Sequence, residues 1–232
     1  MTTIELRRSH AAQAPSPVAG GLASLAQPAK VALVGAIAAV PPITVLHLSA
    51  SGAMEPVGWT ISDYVVTVPY GIPLFGMTAA AMAIGAGVLA RGLAHLAGTR
   101  AARMLLATWA VALLVAAVFP TNLRGTPENA SSNIHLVAGA VVFAVLPAAG
   151  WLVARWQRGI TGRTAMTASL ASISVLSGLL STALILNRLP GVIGMPELML
   201  PPGILQRAAG AVEIVLLALT AATVLRSARR AR

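Results

Sequence analysis

The sequence contains no cysteine and little charge, since only 9% of its 232 residues are Asp, Glu, Lys or Arg. The absence of cysteine excludes disulfides, thiolate metal sites, iron–sulfur clusters and cysteine nucleophiles. An average soluble domain has about 25% charged residues, so a chain that is 57% hydrophobic has too little polar surface for a water-soluble fold. Aromatic residues are also scarce, at 4%, and the small apolar residues that remain suit closely packed helices in lipid. The composition predicts an integral membrane protein.

Six apolar runs are long enough to cross a bilayer. The hydrocarbon core is about 30 Å thick and a helix rises about 1.5 Å per residue, so a span needs about 20 residues. Each run is continuously apolar and lacks the alternation of barrel strands. The sequence therefore predicts an all-α integral membrane protein, a single bundle of six transmembrane helices. The predicted spans are Val31–Ser51, Pro69–Ala90, Met104–Pro120, Ile134–Ala154, Ala165–Leu186 and Gly203–Leu225.

These spans define one transmembrane domain, residues 30–226, with a segment on either side. Residues 1–29 are rich in Thr, Gln, Ser, Pro and Gly and contain no apolar run long enough for a signal peptide, so they are predicted to form a disordered cytoplasmic tail. Residues 227–232 are predicted to form a short basic cytoplasmic tail. Within the first span, Pro41 and Pro42 remove backbone donors and predict a kink.

The distribution of positive charge predicts the orientation of the bundle. Of the 16 Lys and Arg residues, all but Arg124, Arg188 and Arg207 fall on the side that carries both ends of the chain. Cytoplasmic loops hold the excess of Lys and Arg in membrane proteins, so both termini are predicted to be cytoplasmic, in a plasma-membrane protein. The net charge of +10 follows from this asymmetry, and no nucleic-acid partner is expected.

Polar and acidic residues concentrate in the three predicted outer connections, Gly52–Val68, Thr121–Asn133 and Asn187–Pro202. The inner connections are short and flanked by arginine. Because binding residues occur preferentially on loops held by a rigid scaffold, the outer face is the better place for a ligand site.

Glu213 lies near the bilayer midplane, ten residues after Gly203 in the sixth span. Gln206, Gly210 and Glu213 share one helix face because they are spaced i, i+4 and i+7. Ionisable residues at this depth often belong to a proton or substrate path. The alternative is a protonated carboxyl that bonds a hydroxyl of the serine-rich fifth span. The serines in question are Ser174, Ser177 and Ser181.

Two histidines and one arginine are further candidates near the outer boundary. His47 and His135 are weak metal candidates, because imidazole with carboxylates suits Zn²⁺ but no closely spaced motif accompanies them; no metal or other cofactor is expected. His135 either bonds backbone or water, or has a headgroup-binding or proton-transfer role. Arg207 opposes the helix dipole at the start of the sixth span, so it requires a partner, either Asp63 or an anionic ligand.

Short motifs occur in a fixed order along the chain: Ser62-Asp63-Tyr64, Phe119-Pro120-Thr121, His135 and Gly203-Ile204-Leu205-Gln206-Arg207. With the six spans, this series resembles the bacterial six-helix membrane family catalogued as domain of unknown function 998, over roughly residues 30 to 226. The resemblance implies a fold and no established activity. Where that family tends to have an acid after Phe-Pro-Thr, this chain has Asn122. The matching positions that fall on the predicted outer face, and so predict one ligand-binding outer pocket, are Asp63, Thr121, His135, Gln206 and Arg207.

The sequence thus predicts a polytopic membrane protein whose outer pocket binds a small molecule or lipid headgroup in a binding or accessory role, with membrane lipids as partners. One alternative is a proton-coupled small-molecule transporter that uses Glu213. The other is a membrane-embedded enzyme acting on an outer-leaflet lipid, with His135 as general acid or base, Asp63 orienting it and Arg207 stabilising an anion. No nucleophile motif is apparent, so enzymatic activity stays open. The sequence does not indicate an oligomeric state.

Overall fold

The computed structural model describes residues 17–193 and 200–232, with the side-chain environments of residues 20–187 and 200–232. This part of the chain contains nine helices and no strand. Six helical segments in it are long and apolar enough to cross a membrane, which confirms the all-α fold with six spans. The helices are α1 (Pro17–Ser24), α2 (Ala26–Ala38), α3 (Val40–Ala50), α4 (Ile61–Thr67), α5 (Gly71–Leu93), α6 (Arg100–Val118), α7 (Ala130–Thr161), α8 (Ala165–Ile193) and α9 (Pro202–Arg230).

The membrane-spanning helices close into a ring. Each packs against the next along the chain, from α5 to α9, and α2 in the first span contacts both α5 and α9. α7 also contacts α9. Small residues allow the close approach: a Cβ on Gly35 of α2 would meet the Ala81 backbone of α5, and a Cβ on Gly85 would lie 3.0 Å from Ala32 Cα. Tight helix contacts of this kind drive association in lipid, where the hydrophobic effect between helices is absent.

The first span is interrupted at Ala39, between α2 and α3. Pro41 and Pro42 follow directly and cannot donate to the carbonyl groups one turn earlier. The break therefore lies where the two prolines predict a kink.

Helical structure extends beyond the predicted transmembrane domain at both ends. α1 and the start of α2 occupy residues 17–29, and Leu22, Leu25 and Ala29 are buried there. α1 packs on α9, and α2 packs on α5 and α9; this tertiary burial orders a segment whose composition alone indicates disorder. α9 likewise continues through Arg230, so most of the predicted tail of residues 227–232 is helical. Residues 1–16 lie outside the described part of the chain.

Helix α4 is a short helix between the first two spans, and its start is fixed by a capping box. Thr60 Oγ1 accepts a hydrogen bond from Asp63 N, and Asp63 Oδ2 accepts one from Thr60 N at 2.7 Å. The reciprocal bonds satisfy two backbone donors that a helix start leaves unpaired. At its other end, a Cβ on Gly71 would collide with the carbonyl groups of Tyr64 and Val65. Glycine at the start of α5 thus lets α4 lie directly against it.

Candidate functional site: a cavity beside α4

A cavity of about 470 Å³ lies between α4, the α6–α7 connection, α7, α8 and α9. We call it the α4 cavity. We call the polar lining residues, which come mainly from α4, the connection and α9, the polar wall, and the apolar ones, which come mainly from α7 and α8, the apolar wall. The polar wall includes Thr60, Ser62, Asp63, Thr121, Asn122, Arg124, Glu128, His135 and Gln206. The apolar wall includes Leu136, Val137, Gly139, Ala140, Phe143, Leu184 and Ile185.

His135 has hydrogen-bond partners at both ring nitrogens. Nδ1 lies 2.8 Å from the Ala116 carbonyl oxygen and 2.9 Å from that of Phe119. A carbonyl oxygen can only accept, so the network assigns the proton to Nδ1. These carbonyl groups are available because α6 ends at Val118, before Pro120, and its last carbonyls have no partner within the helix.

Ser62 contacts the other nitrogen of this histidine. Ser62 Oγ lies 3.0 Å from His135 Nε2. Because Nδ1 carries the proton, Nε2 of the neutral ring accepts the bond and the Ser62 hydroxyl donates it. Ser62 belongs to the family motif Ser62-Asp63-Tyr64, which by itself predicts no role for its hydroxyl. The available signal was its position next to Asp63 in that motif, but the pairing itself depends on how α4 lies against α7.

Gln206 connects α9 to the same group. Its Oε1 accepts a hydrogen bond from Ile61 N at 2.6 Å, and its Nε2 donates to Ser62 Oγ at 3.4 Å. The bond to Ile61 fixes which end of the amide faces Ser62. A directed series of hydrogen bonds therefore runs from Gln206 through Ser62 to His135.

Asp63 lines the cavity but has a different role from the predicted one. Its Oδ2 accepts hydrogen bonds from the backbone and the hydroxyl of Thr60, at 2.7 Å and 2.8 Å. The groups that orient His135 are instead the carbonyl oxygens of Ala116 and Phe119. The expectation that Asp63 orients His135 is therefore corrected: Asp63 holds the start of α4.

Arg207 is placed outside the lining of the cavity. Its Nη1 donates to the carbonyl oxygens of Pro56 and Trp59, at 2.8 Å and 2.7 Å, and the guanidinium lies 4.5 Å from the centre of the Tyr64 ring. In the structure, backbone carbonyls of the α3–α4 connection rather than Asp63 are the hydrogen-bond partners of Arg207, and an anionic ligand at this residue stays a prediction. The long side chain follows the path of that connection, which the sequence pattern did not define.

The α6–α7 connection closes one side of the cavity and brings Thr121 to its lining. Asn122 donates from Nδ2 to the Pro127 carbonyl, which closes the connection on itself. Ser131 Oγ donates to the Pro120 carbonyl at 2.8 Å, which joins the start of α7 to the end of α6. Of the five predicted outer-pocket residues, the structure thus brings Asp63, Thr121, His135 and Gln206 to one cavity.

Glu213 lies apart from this cavity, in the core of the bundle, with 3% of its surface exposed. The Trp109 side chain contacts its carboxyl group, although among the described residues neither Trp109 Nε1 nor Glu213 Oε1 meets the geometry of a hydrogen bond. Ser174 donates to the Leu170 carbonyl of its own helix. Within the same part of the chain, Ser177 Oγ and Ser181 Oγ also have no partner.

The two histidines considered for metal binding occupy separate environments. His47 packs edge-on against Tyr64, with ring centres 5.9 Å apart, and its Nδ1 lies 2.7 Å from the Ile43 carbonyl. His135 is engaged by Ser62 and by two carbonyl groups. In residues 17–193 and 200–232, no three His, Asp or Glu side chains come together as a metal site would require.

The fold and the cavity define a multi-pass membrane protein with a polar and apolar cavity at one end of its helix bundle. A family model described as protein of unknown function, DUF998, matches residues 33–223. The chain therefore belongs to this family, as the order of its motifs predicts. No curated protein and no solved structure matches the chain.

Proposed function

We propose that the α4 cavity binds an amphiphile taken up from the membrane. The polar headgroup lies against α4 and the α6–α7 connection, and the apolar chain lies against α7 and α8. The observation that carries this proposal is that one cavity is lined both by polar residues, mainly of α4, the α6–α7 connection and α9, and by apolar residues, mainly of α7 and α8. Its volume, about 470 Å³, falls in the range of about 300–1,000 Å³ that is typical of small-molecule sites.

A neighbouring groove favours a lipid-like ligand over a water-soluble one. An almost wholly apolar groove of about 700 Å³ runs between α6 and α7. Asn133 and Val137 line both this groove and the α4 cavity. A hydrocarbon chain that leaves the cavity at these residues meets an apolar surface rather than water, so a chain longer than the cavity is accommodated.

The charged residues of the lining favour a zwitterionic headgroup. Asp63 and Glu128 supply carboxylates and Arg124 supplies a guanidinium. A phosphate is complemented by the guanidinium and by hydroxyl groups, and an ammonium group by the carboxylates. A phosphoethanolamine headgroup carries both charges.

The proposed location of the cavity is the outer side of the plasma membrane, with both termini in the cytoplasm. The charge asymmetry of the loops supports this orientation. The amphiphile then comes from the outer leaflet, and the protein acts as a binding or accessory protein for such lipids.

The test is native mass spectrometry of the protein in mild detergent with an ether-linked lysophosphatidylethanolamine, which has no ester to cleave. Gly139 lines the cavity, and a Cβ there has no neighbour within 4 Å. Gly139→Leu should therefore fill the cavity without disturbing the backbone. Gly87 is also a helical glycine whose Cβ would have no neighbour within 4 Å, and it lies on α5, away from the cavity.

The wild type and Gly87→Leu should retain the lipid adduct, and Gly139→Leu should lose it. Equal binding by all three proteins would contradict the proposed site. Absence of binding to the wild type would contradict the proposed ligand class.

A further inference from the structure

Ser62 and His135 have the mutual arrangement of a nucleophile and its base. The serine hydroxyl lies 3.0 Å from a histidine nitrogen that is free to accept its proton, and the opposite nitrogen is oriented by two carbonyl oxygens. A nucleophile, a base within hydrogen-bond reach and a third group that orients the base are the parts of an activated serine. Both side chains are partly exposed and line the α4 cavity, so a bound ligand can reach them.

We propose that Ser62 and His135 cleave an ester bond of an amphiphile bound in the α4 cavity, with Ser62 as nucleophile and His135 as general base. This inference rests on the proposed function, because the substrate is the ligand of that cavity. It also replaces the roles that the sequence suggested for an enzyme, since the hydrogen bonds of Asp63 and Arg207 are made to the α4 start and the α3–α4 connection.

The first half of the reaction transfers the acyl group to Ser62. Ser62 Oγ attacks the ester carbonyl carbon while its proton passes to His135 Nε2. The ester C–O bond then breaks, and the departing alcohol oxygen takes the proton from Nε2. The Nδ1–H of the transient imidazolium stays bonded to the carbonyl oxygens of Ala116 and Phe119, which stabilise its positive charge.

Water completes the cycle. His135 Nε2 takes a proton from a water molecule, whose oxygen attacks the acyl carbon. The bond from that carbon to Ser62 Oγ breaks, and the serine recovers its proton from His135. The net reaction converts an ester and water into a carboxylic acid and an alcohol, with no other reactant.

Gln206 is placed to donate to the oxyanion that forms during acyl transfer. Its Nε2 lies 3.4 Å from Ser62 Oγ, the atom to which the reacting carbonyl carbon becomes bonded. The bond from Ile61 N to Gln206 Oε1 keeps the donor end of the amide toward that carbon. Side-chain amides serve as oxyanion donors in acyl transfer.

Another serine in the lining has a structural role and provides a contrast. Ser132 Oγ donates to the Asn129 carbonyl at 2.8 Å and forms part of the capping box of α7. Ser62 instead donates to an imidazole. The proposed chemistry is therefore specific to Ser62, although both serines line the same cavity.

The decisive experiment labels the full-length protein, in mild detergent, with a long-chain alkyl fluorophosphonate, followed by peptide mapping. We expect one adduct, on Ser62, that is lost in Ser62→Ala. His135→Gln should slow labelling by about 100-fold or more, the usual contribution of a general base. The matched control is Ser49→Ala, which should label like the wild type. The Ser49 hydroxyl lies on the exposed surface of α3 and donates to the Val45 carbonyl.

A second measurement separates this inference from the binding proposal. The wild type should release fatty acid from ester-linked lysophosphatidylethanolamine, whereas Ser62→Ala should release none and still bind the ether-linked analogue. Protein that binds the ether lipid but is not labelled at Ser62, or is labelled equally fast in His135→Gln, overturns the catalytic pair and leaves the binding proposal standing. Labelling at Ser62 without ether-lipid binding supports the pair and overturns the proposed ligand.

Discussion

The hydroxyl of Ser62 lies 3.0 Å from Nε2 of His135, although 73 positions separate the two residues in the sequence. The contact depends on three separate local structures: the capped start of α4, the end of α6 before Pro120, and the first turns of α7. The end of α6 is important because its unpaired carbonyl groups determine which nitrogen of His135 carries the proton. Because α6 ends just before Pro120, its free carbonyl groups hold the proton on Nδ1 of His135 and leave Nε2 as the acceptor that faces Ser62.

Arg207 is expected to stabilise the α3–α4 connection rather than to bind a ligand. Its Nη1 bonds two carbonyl groups, and its guanidinium stacks on Tyr64. Arg207→Lys should lower the free energy of unfolding by about 2 kcal/mol, because an ammonium group cannot make both bonds and keep the stacking geometry. The measurement is unfolding in mixed micelles titrated with a denaturing detergent.

The matched control for Arg207 is Arg124→Lys. The Arg124 guanidinium lies 5.0 Å from the centre of the Trp59 ring on an exposed connection, so this change should cost no more than about 0.5 kcal/mol. Equal effects of the two substitutions would show that the carbonyl contacts of Arg207 contribute little.

The spans could be predicted from the sequence because lipid imposes a length and a hydropathy on each helix. All six were located in this way, and the break near Pro41 followed from the chemistry of proline. The start of the first span could not be found by hydropathy. Residues 20–30 are ordered because Leu25 and Ala29 bury against neighbouring helices, and the composition of a segment contains no information about its neighbours.

The candidate site was predicted in part. The order of the family motifs indicated that Asp63, His135 and Gln206 lie together, and all three line the α4 cavity. The roles of individual side chains could not be predicted, because they depend on contacts between particular atoms. Asp63 uses its carboxylate in a capping box, and Arg207 bonds the α3–α4 connection, whose path has no periodic sequence pattern. The role proposed for Ser62 depends on its contact with Nε2 of His135, which the sequence does not show.

Close packing of α2 on α5 should be sensitive to side chains at Gly35. A Cβ at this position would meet the Ala81 backbone, and Gly85 Cα would lie 3.3 Å away. Gly35→Val should therefore lower the free energy of unfolding by about 1–3 kcal/mol through overpacking. Gly87→Val, on the open side of α5, should have a much smaller effect in the same detergent titration, and similar losses for both would argue against a tight contact between the helices.

The charge asymmetry predicts the orientation of the bundle in the membrane. A reporter fused at Gly125, in the α6–α7 connection, should report the extracytoplasmic side, and one fused at Gly162, between α7 and α8, should report the cytoplasm. A pair of reporters, one active only outside and one only inside, makes each result self-controlled. The reverse pattern would place the α4 cavity on the cytoplasmic face and remove the outer leaflet as the source of its ligand.

Glu213 distinguishes a structural carboxyl group from a proton carrier. It is buried, contacts Trp109 and lies on α9 beyond Gln206, the residue of this helix that lines the α4 cavity. The side chain of Ile61 packs beside the intervening turn, 3.8 Å from the position of a Cβ on Gly210. Because this apolar side chain lies on the helix face between the cavity and the carboxyl group, we expect a structural role for Glu213.

We therefore expect Glu213→Gln to leave the free energy of unfolding nearly unchanged, because the amide keeps the size and the polarity of the carboxyl group beside Trp109. Glu213→Leu should lower it by about 1–2 kcal/mol, because the buried indole N–H of Trp109 then has only apolar neighbours on that side. Proton flux into proteoliposomes made with Glu213→Gln should equal that of the wild type. If the wild type instead carries a pH-dependent flux that Glu213→Gln abolishes while folding is intact, Glu213 transfers protons and the transporter alternative gains its first direct support.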